Sequence, residues 1–172
     1  MKAPYFKSTF YKHALAMDVK QHLGSLFDAF FKFTFVRNPW DWVVSNYCFN
    51  RGLHYPFVQG TGFPIVGSVP SQLKELTFEA WLPFWLQTFK PSQLCYLVDN
   101  QGNLLVDFIG RFENLEADMQ QIAQRLNLPA PQLPRLEPSK ARSDYRDYYS
   151  ETTIEMVRDH FKREIALFDY HY

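Results

Sequence analysis

Neither sign of charge predominates in this chain of 172 residues: 18 lysines and arginines balance 18 aspartates and glutamates, for a formal net charge of zero. Nothing in that balance favours bulk attraction to nucleic acid or to an acidic membrane, so any anion site must be built locally. No apolar run approaches the roughly 20 residues of a membrane-spanning helix. The first residues lack the basic start and apolar core of a signal peptide. Cysteine is scarce. Cys48 and Cys95 have neither metal-ligand nor redox spacing, so they read as buried free thiols, with a disulfide as the alternative. Internal repeats and a clear domain linker are both missing. These absences lead to the expectation of a single domain over 1–172, without a transmembrane segment and cytoplasmic.

What is abundant is apolar and aromatic. The apolar fraction is 47%, and 17 Phe and 10 Tyr raise aromatics to 18%, which predicts a substantial, aromatic-rich core. Apolar spacing predicts a short helix over 12–23 stopped by Gly24, a helical turn over 26–31, a strand over 32–36 and a helix over 39–50 carrying Trp40, Val43, Val44 and Tyr47. Residues 52–71 are rich in Gly and Pro and read as an ordered surface loop. Gly62, Gly67 and Ser68 imitate part of a phosphate-binding loop, but the lysine is missing and Pro64 interrupts, so that reading fails. An aromatic helix over 77–89 starts at Thr77 and contains Pro83; it serves either the core or an acceptor cleft. Residues 94–98 and 104–110 read as a hairpin or short strand pair about Asp99–Asn103. Amphipathic helices follow over 115–126, capped by Asn114, and over 151–167, capped by Ser150.

The chemistry concentrates in Lys32 to Tyr47. An apolar strand ends in Arg37, Asn38 is a good N-cap, and Pro39 suits the first helical position. Asp41 lies in the first turn, where a negative charge complements the helix dipole. A cationic fork beside a fresh helix N-terminus is suited to holding phosphate, and Ser45 adds a hydroxyl two turns along. The alternative is a buried strand and helix with Arg37 in an ordinary ion pair.

This segment resembles the 3′-phosphate-binding motif of sulfotransferases that use PAPS (3′-phosphoadenosine 5′-phosphosulfate), an arg-x-pro pattern followed by a serine. The matching residues are Arg37, Pro39 and Ser45. Two further blocks fall in the family's order. Gly110-Arg111-Phe112-Glu113-Asn114-Leu115 is similar to a block of the bacterial and Golgi carbohydrate enzymes; on its own terms, Arg111 and Glu113 pair locally. The stretch Pro138 to Tyr149 is similar to the family's late basic loop, where Lys140 and Arg142 would point into one anion site. The resemblance runs from about residue 12 to the C-terminus.

It implies an α/β fold of the nucleotide-kinase-like type, a parallel sheet flanked by helices. It also implies transfer of a sulfuryl group from PAPS to a hydroxyl acceptor, carbohydrate by class, without a required metal. Arg37, Ser45, Lys140 and Arg142 would hold the nucleotide. His13, upstream of the arginine motif as in related carbohydrate enzymes, would be the general base, with Glu113 a second candidate; His22, His54, His160 and His171 have no supporting context. One departure stands out. The family's opening strand and phosphate loop, approximately ile-pro-lys-thr-gly-gly-thr-ser, has no counterpart here, and Lys2 and Lys7 do not reproduce it. The expectation is a misassigned start or a lost first strand and loop. Two rival readings therefore stay open: an inactive remnant that binds PAP or another nucleotide, and a helical interaction protein with a coincidental motif.

Overall fold

The computed structural model describes residues 14–50, 75–129, 131–133 and 143–172. Its sheet consists of two parallel strands among the described residues, β1 (Phe33–Val36) and β2 (Phe108–Arg111). Aromatic and β-branched residues suit a half-buried pleated surface. The register pairs Phe33 with Phe108, Thr34 with Ile109, Phe35 with Gly110 and Val36 with Arg111. Asp107 clamps the entry to the pair: one carboxylate oxygen accepts from the Lys32 backbone N–H at 2.8 Å and from the Lys32 ammonium at 2.9 Å. These bonds hold the Asp107 carboxyl below its usual range. Gly110 is required by close approach, since a Cβ there would lie 2.4 Å from the Phe35 ring.

The helices are α1 (Ala16–Leu23), α2 (Pro39–Asn50), α3 (Phe78–Phe89), α4 (Leu115–Arg125), α5 (Glu151–His160) and α6 (Lys162–Phe168). Gly24 ends α1 at φ 54°, as its position predicts, and the chain continues as a 3-10 turn over Gly24–Ala29. His13 and residue 12 of the expected first helix lie outside the described residues. At α3 the Thr77 hydroxyl accepts from the Ala80 N–H, and Lys90 in the left-handed conformation closes the helix. Pro83 sits on the exposed face and α3 runs through it.

Aromatic helices α2 and α3 form the centre of the core with α5. Trp40, Val43, Val44, Trp81, Leu82, Val157 and Phe161 are all essentially inaccessible to solvent. Trp81 stacks on Trp85 with centroids 4.9 Å apart, and Trp42 bridges edge-on to Trp85 at 5.9 Å and Phe161 at 5.8 Å. Edge-to-face and offset pairs add to the burial of large apolar area. The aromatic helix is therefore a core element: Phe78, Trp81, Leu82, Trp85 and Leu86 all face inward.

Several expectations need correction. The expected terminal helix over 151–167 is two helices broken at Phe161, whose ψ of 21° leaves the helical range. Past the break, Glu164 and Phe168 are the buried residues of α6. Segment 94–98 is mostly a 3-10 turn, Leu94–Tyr96, and the expected strand pair shrinks to one antiparallel bridge between Val98 and Leu104. The Asp99 carboxylate closes the turn by accepting from the Gln101 and Asn103 N–H groups, both at 2.9 Å, while the Leu97 and Val98 N–H groups turn back on the Leu94 carbonyl at 2.9 and 3.2 Å. Asn114 makes no side-chain cap; a 3-10 turn over Phe112–Asn114 leads into α4 instead. Both cysteines are free, as expected, but only Cys48 is buried and Cys95 is exposed. The loop 52–71 lies outside the described residues. Among the described residues, no helix is long and apolar enough to cross a membrane.

Gly110→Ala tests the strand packing. The new Cβ overlaps the Phe35 ring, an overpacking expected to cost about 1–3 kcal/mol in urea denaturation. Phe35→Leu should recover part of the loss in the double variant. Wild-type stability in Gly110→Ala alone would show that the strands are not held this closely.

Candidate functional site

The sequence logic of the strand-to-helix junction is realised in the backbone. β1 delivers Arg37 at its carboxyl end, and Pro39 opens α2. The Asn38 side-chain oxygen accepts from the Trp40 N–H at 3.0 Å, a cap of the expected kind. The Asn38 amide also donates to the His171 carbonyl at 2.9 Å, which ties the C-terminal tail to the same corner.

The junction carries its own anions. The Asn38 N–H donates to one carboxylate oxygen of Glu113 at 2.6 Å. The other Glu113 oxygen accepts from the Tyr170 hydroxyl at 3.1 Å. Burial, then the Glu113 charge, push the Tyr170 phenol well above its ordinary range, so Tyr170 is a dependable donor. Arg37 Nε donates to Asp41 at 2.5 Å, with both side chains mostly buried. The guanidinium carbon lies 4.4 Å from the centroid of the Phe112 ring, a cation–π contact. Burial lowers the basicity of Arg37 and Glu113 partly restores it; the guanidinium stays charged at any physiological pH.

What remains unused is informative. Among the described residues, neither terminal amino group of Arg37 has a hydrogen-bond partner, and the Ser45 hydroxyl has none. Asp41 and Ser45 are four residues apart on α2, one above the other on a single stripe. Because Asp41 is the residue bound to Arg37, Ser45 stands one turn further along that same side. The structure thus brings Arg37 and Glu113 to one corner at the start of α2, with Ser45 further along that helix. His13, Lys140 and Arg142 lie outside the described residues.

The expected Arg111–Glu113 pair is corrected. The Arg111 guanidinium donates to the Phe168 carbonyl and lies 5.1 Å from the Tyr170 ring. Its backbone N–H donates to Asp118 at 2.6 Å. The two side chains do not pair because β2 ends at Arg111 and the 3-10 turn over Phe112–Asn114 swings Glu113 toward the start of α2. Both therefore order the site, Arg111 through the C-terminal tail and Glu113 at the start of α2.

Two contributors escaped sequence reasoning. Gln93 bonds both backbone groups of Arg37 from 56 positions away, accepting from N–H at 2.9 Å and donating to C=O at 2.8 Å. Tyr170 reaches Glu113 from the C-terminal tail. No local pattern could have revealed either, since each pairing is purely tertiary. Among the described residues, no group of three or more His, Cys, Asp or Glu side chains is placed to hold a metal ion. A separate groove of about 440 Å³ beside α1 and β1 is lined by Val19, Phe27, Phe31, Phe33 and Leu97, and by none of Arg37, Ser45 or Glu113.

A family profile covers almost the whole chain. The model of the Sulfotransferase family matches residues 5–171. An uncharacterized protein of Archaeoglobus fulgidus is similar, 28% identical over 114 residues, which are 64% of this chain and 80% of that protein. No solved structure matches the chain significantly. A coincidental arginine motif on an unrelated helical protein is therefore ruled out. The profile runs almost end to end, and strand β1 runs into helix α2 through Arg37, so the chain belongs to the sulfotransferase family.

Proposed function

We propose that this protein is one sulfotransferase domain of the nucleotide-kinase-like α/β type that takes PAPS as sulfuryl donor and a hydroxyl group, carbohydrate by class, as acceptor. The single observation that carries this reading is the arrangement of Arg37 and Ser45. A mostly buried guanidinium has both terminal amino groups uncommitted among the described residues, and an uncommitted hydroxyl lies one turn beyond Asp41 on the same stripe of α2. A planar cationic fork fits two oxygens of a phosphate monoester, and a hydroxyl can donate to a third. The 3′-phosphate of PAPS is such a group. The zero net charge fits a site whose attraction is local. A cytoplasmic location is part of the same reading.

In this reading the acceptor oxygen attacks sulfur in line, the bond from sulfur to the phosphate oxygen breaks, and PAP leaves with that electron pair. The acceptor proton goes to a general base, for which His13 is the candidate. Lys140 and Arg142 would add charge-assisted hydrogen bonds to the nucleotide. No metal is required by this route. Glu113 is the rival base, but its carboxylate is held by the Asn38 N–H and the Tyr170 hydroxyl. A carboxylate already accepting two hydrogen bonds has less freedom to reach an acceptor.

Calorimetric titration of PAP tests the site. Micromolar affinity is expected for the parent. Arg37→Lys keeps the charge beside Asp41 and so preserves the fold, but it loses the planar fork and should weaken binding about tenfold or more. Equal affinity in a folded Lys variant would remove Arg37 as the phosphate ligand, and no binding by the folded parent would sink the reading. Binding without turnover for any hydroxyl acceptor would instead leave a non-catalytic PAP-binding protein.

The base is assigned by a pair of variants. His13→Ala should abolish turnover while retaining PAP affinity. Glu113→Gln keeps an acceptor for the Asn38 N–H, removes a negative charge near Arg37, and should tighten PAP several-fold, on the order of 1 kcal/mol, with turnover retained. Collapse of turnover in Glu113→Gln with normal His13→Ala rates would exchange the two roles.

A further inference from the structure

Strand β1 ends at Val36, where its register with β2 also ends. Arg37 is the first residue past the paired strands, so its backbone N–H and C=O have no ladder partner there. The Gln93 side chain supplies both. Its carbonyl oxygen accepts from the Arg37 N–H at 2.9 Å and its amide nitrogen donates to the Arg37 C=O at 2.8 Å. A primary amide carries one acceptor and one donor side by side, so it pairs with a peptide unit as a neighbouring strand would. Glu, Leu or Met, of similar length, cannot make both bonds.

Gln93 is itself held firmly. The preceding Ser92 hydroxyl donates to Glu164 at 2.6 Å, and Glu164 is only 4% exposed. The His160 ring nitrogen Nε2 lies 2.9 Å from the Pro91 carbonyl. The following residue, Leu94, is buried in the core. Segment 91–94 is thus a strut, anchored on α5 and α6 at one side and gripping the Arg37 backbone at the other.

We propose that Gln93 is a positioning residue for the anion ligand. By fixing both backbone groups of Arg37, it sets the direction in which the guanidinium leaves the strand end, so that Nε meets Asp41, the plane lies against Phe112, and the terminal amino groups face the ligand. Gln93 touches no ligand itself. The inference rests on Arg37 being a phosphate ligand only for its functional consequence; the clamp on Arg37 is a separate statement and is tested separately.

The experiment uses the 172-residue parent and Gln93→Leu, with Gln93→Glu as a second variant that keeps the acceptor and loses the donor, should the leucine variant fail to fold. The first readout needs no ligand: hydrogen exchange of the Arg37 amide and the NMR resonance of Arg37 Nε–H. Faster exchange and a shifted Nε–H signal are expected in the variant, which should stay folded with a lowered denaturation midpoint because two part-buried backbone groups lose their partner. The second readout compares PAP with adenosine 5′-phosphate, which lacks the 3′-phosphate. PAP affinity should fall about tenfold while adenosine 5′-phosphate affinity stays unchanged. Parent-like Arg37 signals in the variant would overturn the proposal, as would equal weakening of both nucleotides. A parent that binds no PAP, with Arg37 signals that change in the variant, would sink the PAP reading and leave the clamp standing.

Discussion

The start of α2 is where the polar demands of this fold converge. Four helical N–H groups lack partners at any helix start, and the helix dipole places partial positive charge there. Here an arginine is delivered to the same point by β1. The corner must therefore attract anions, and the chain provides two of its own: Glu113 on the Asn38 N–H and Asp41 on Arg37 Nε. Those two contacts recruit the rest. Glu113 comes from the turn after β2, so strand pairing and helix capping depend on each other. Tyr170 holds the far oxygen of Glu113, which draws in the C-terminal tail. The tail is fastened again by the Asn38 amide on His171 and by Arg111 on Phe168.

The internal neutralisation is incomplete in a useful way. Asp41 takes the Nε edge of Arg37 and Phe112 covers one face. The terminal amino edge is uncommitted among the described residues. A carboxylate that engaged both edges would leave none for a further anion, whereas here Asp41 balances the buried charge through the Nε edge alone. The aromatic core beneath gives the corner its rigidity. Trp40, the second residue of α2, is buried against the Tyr172 ring, accepts the Tyr149 hydroxyl on its carbonyl, and donates its indole N–H to Ile154. The helix start cannot shift without disturbing α5 and the tail together.

Much of this was legible from sequence where the information was local. The Asn38 cap, Pro39 at the first helical position, the burial of Trp40, Val43, Val44 and Tyr47, and the Ser150 cap all follow from short-range periodicity and backbone chemistry. The cap at Ser150 is reinforced by a reciprocal bond from Thr153, which the sequence also contains at the right spacing. Failures came where a local signal had a tertiary competitor. The apolar run at 94–98 looked like a strand, but its Leu97 and Val98 N–H groups bond back to the Leu94 carbonyl and the run becomes a 3-10 turn. The terminal helix looked continuous through Phe161, yet it breaks there and presents Glu164 to the core, where the Ser92 hydroxyl awaits it. Arg111 and Glu113 looked like a local pair because they are near in sequence; in space both meet the C-terminal tail at Tyr170, and Glu113 also caps the start of α2.

By itself the sequence determined that a cation would end a strand beside a helix start, that an aromatic core would lie under it, and that the chain would carry sulfotransferase motifs in order. Those are consequences of residue type at short spacing, where capping, φ preference and side-chain alternation act within a turn or two. Only the tertiary structure decided which groups satisfy that corner. Glu113, Gln93, Tyr170 and the His171 carbonyl arrive from distant positions, and hydrogen-bond donors and acceptors carry no sequence mark of the partner they will meet. Their pairing is set by the packing of β2, the 91–94 strut and the C-terminal tail around α2, because a buried polar group must be satisfied by whatever the fold brings within about 3 Å.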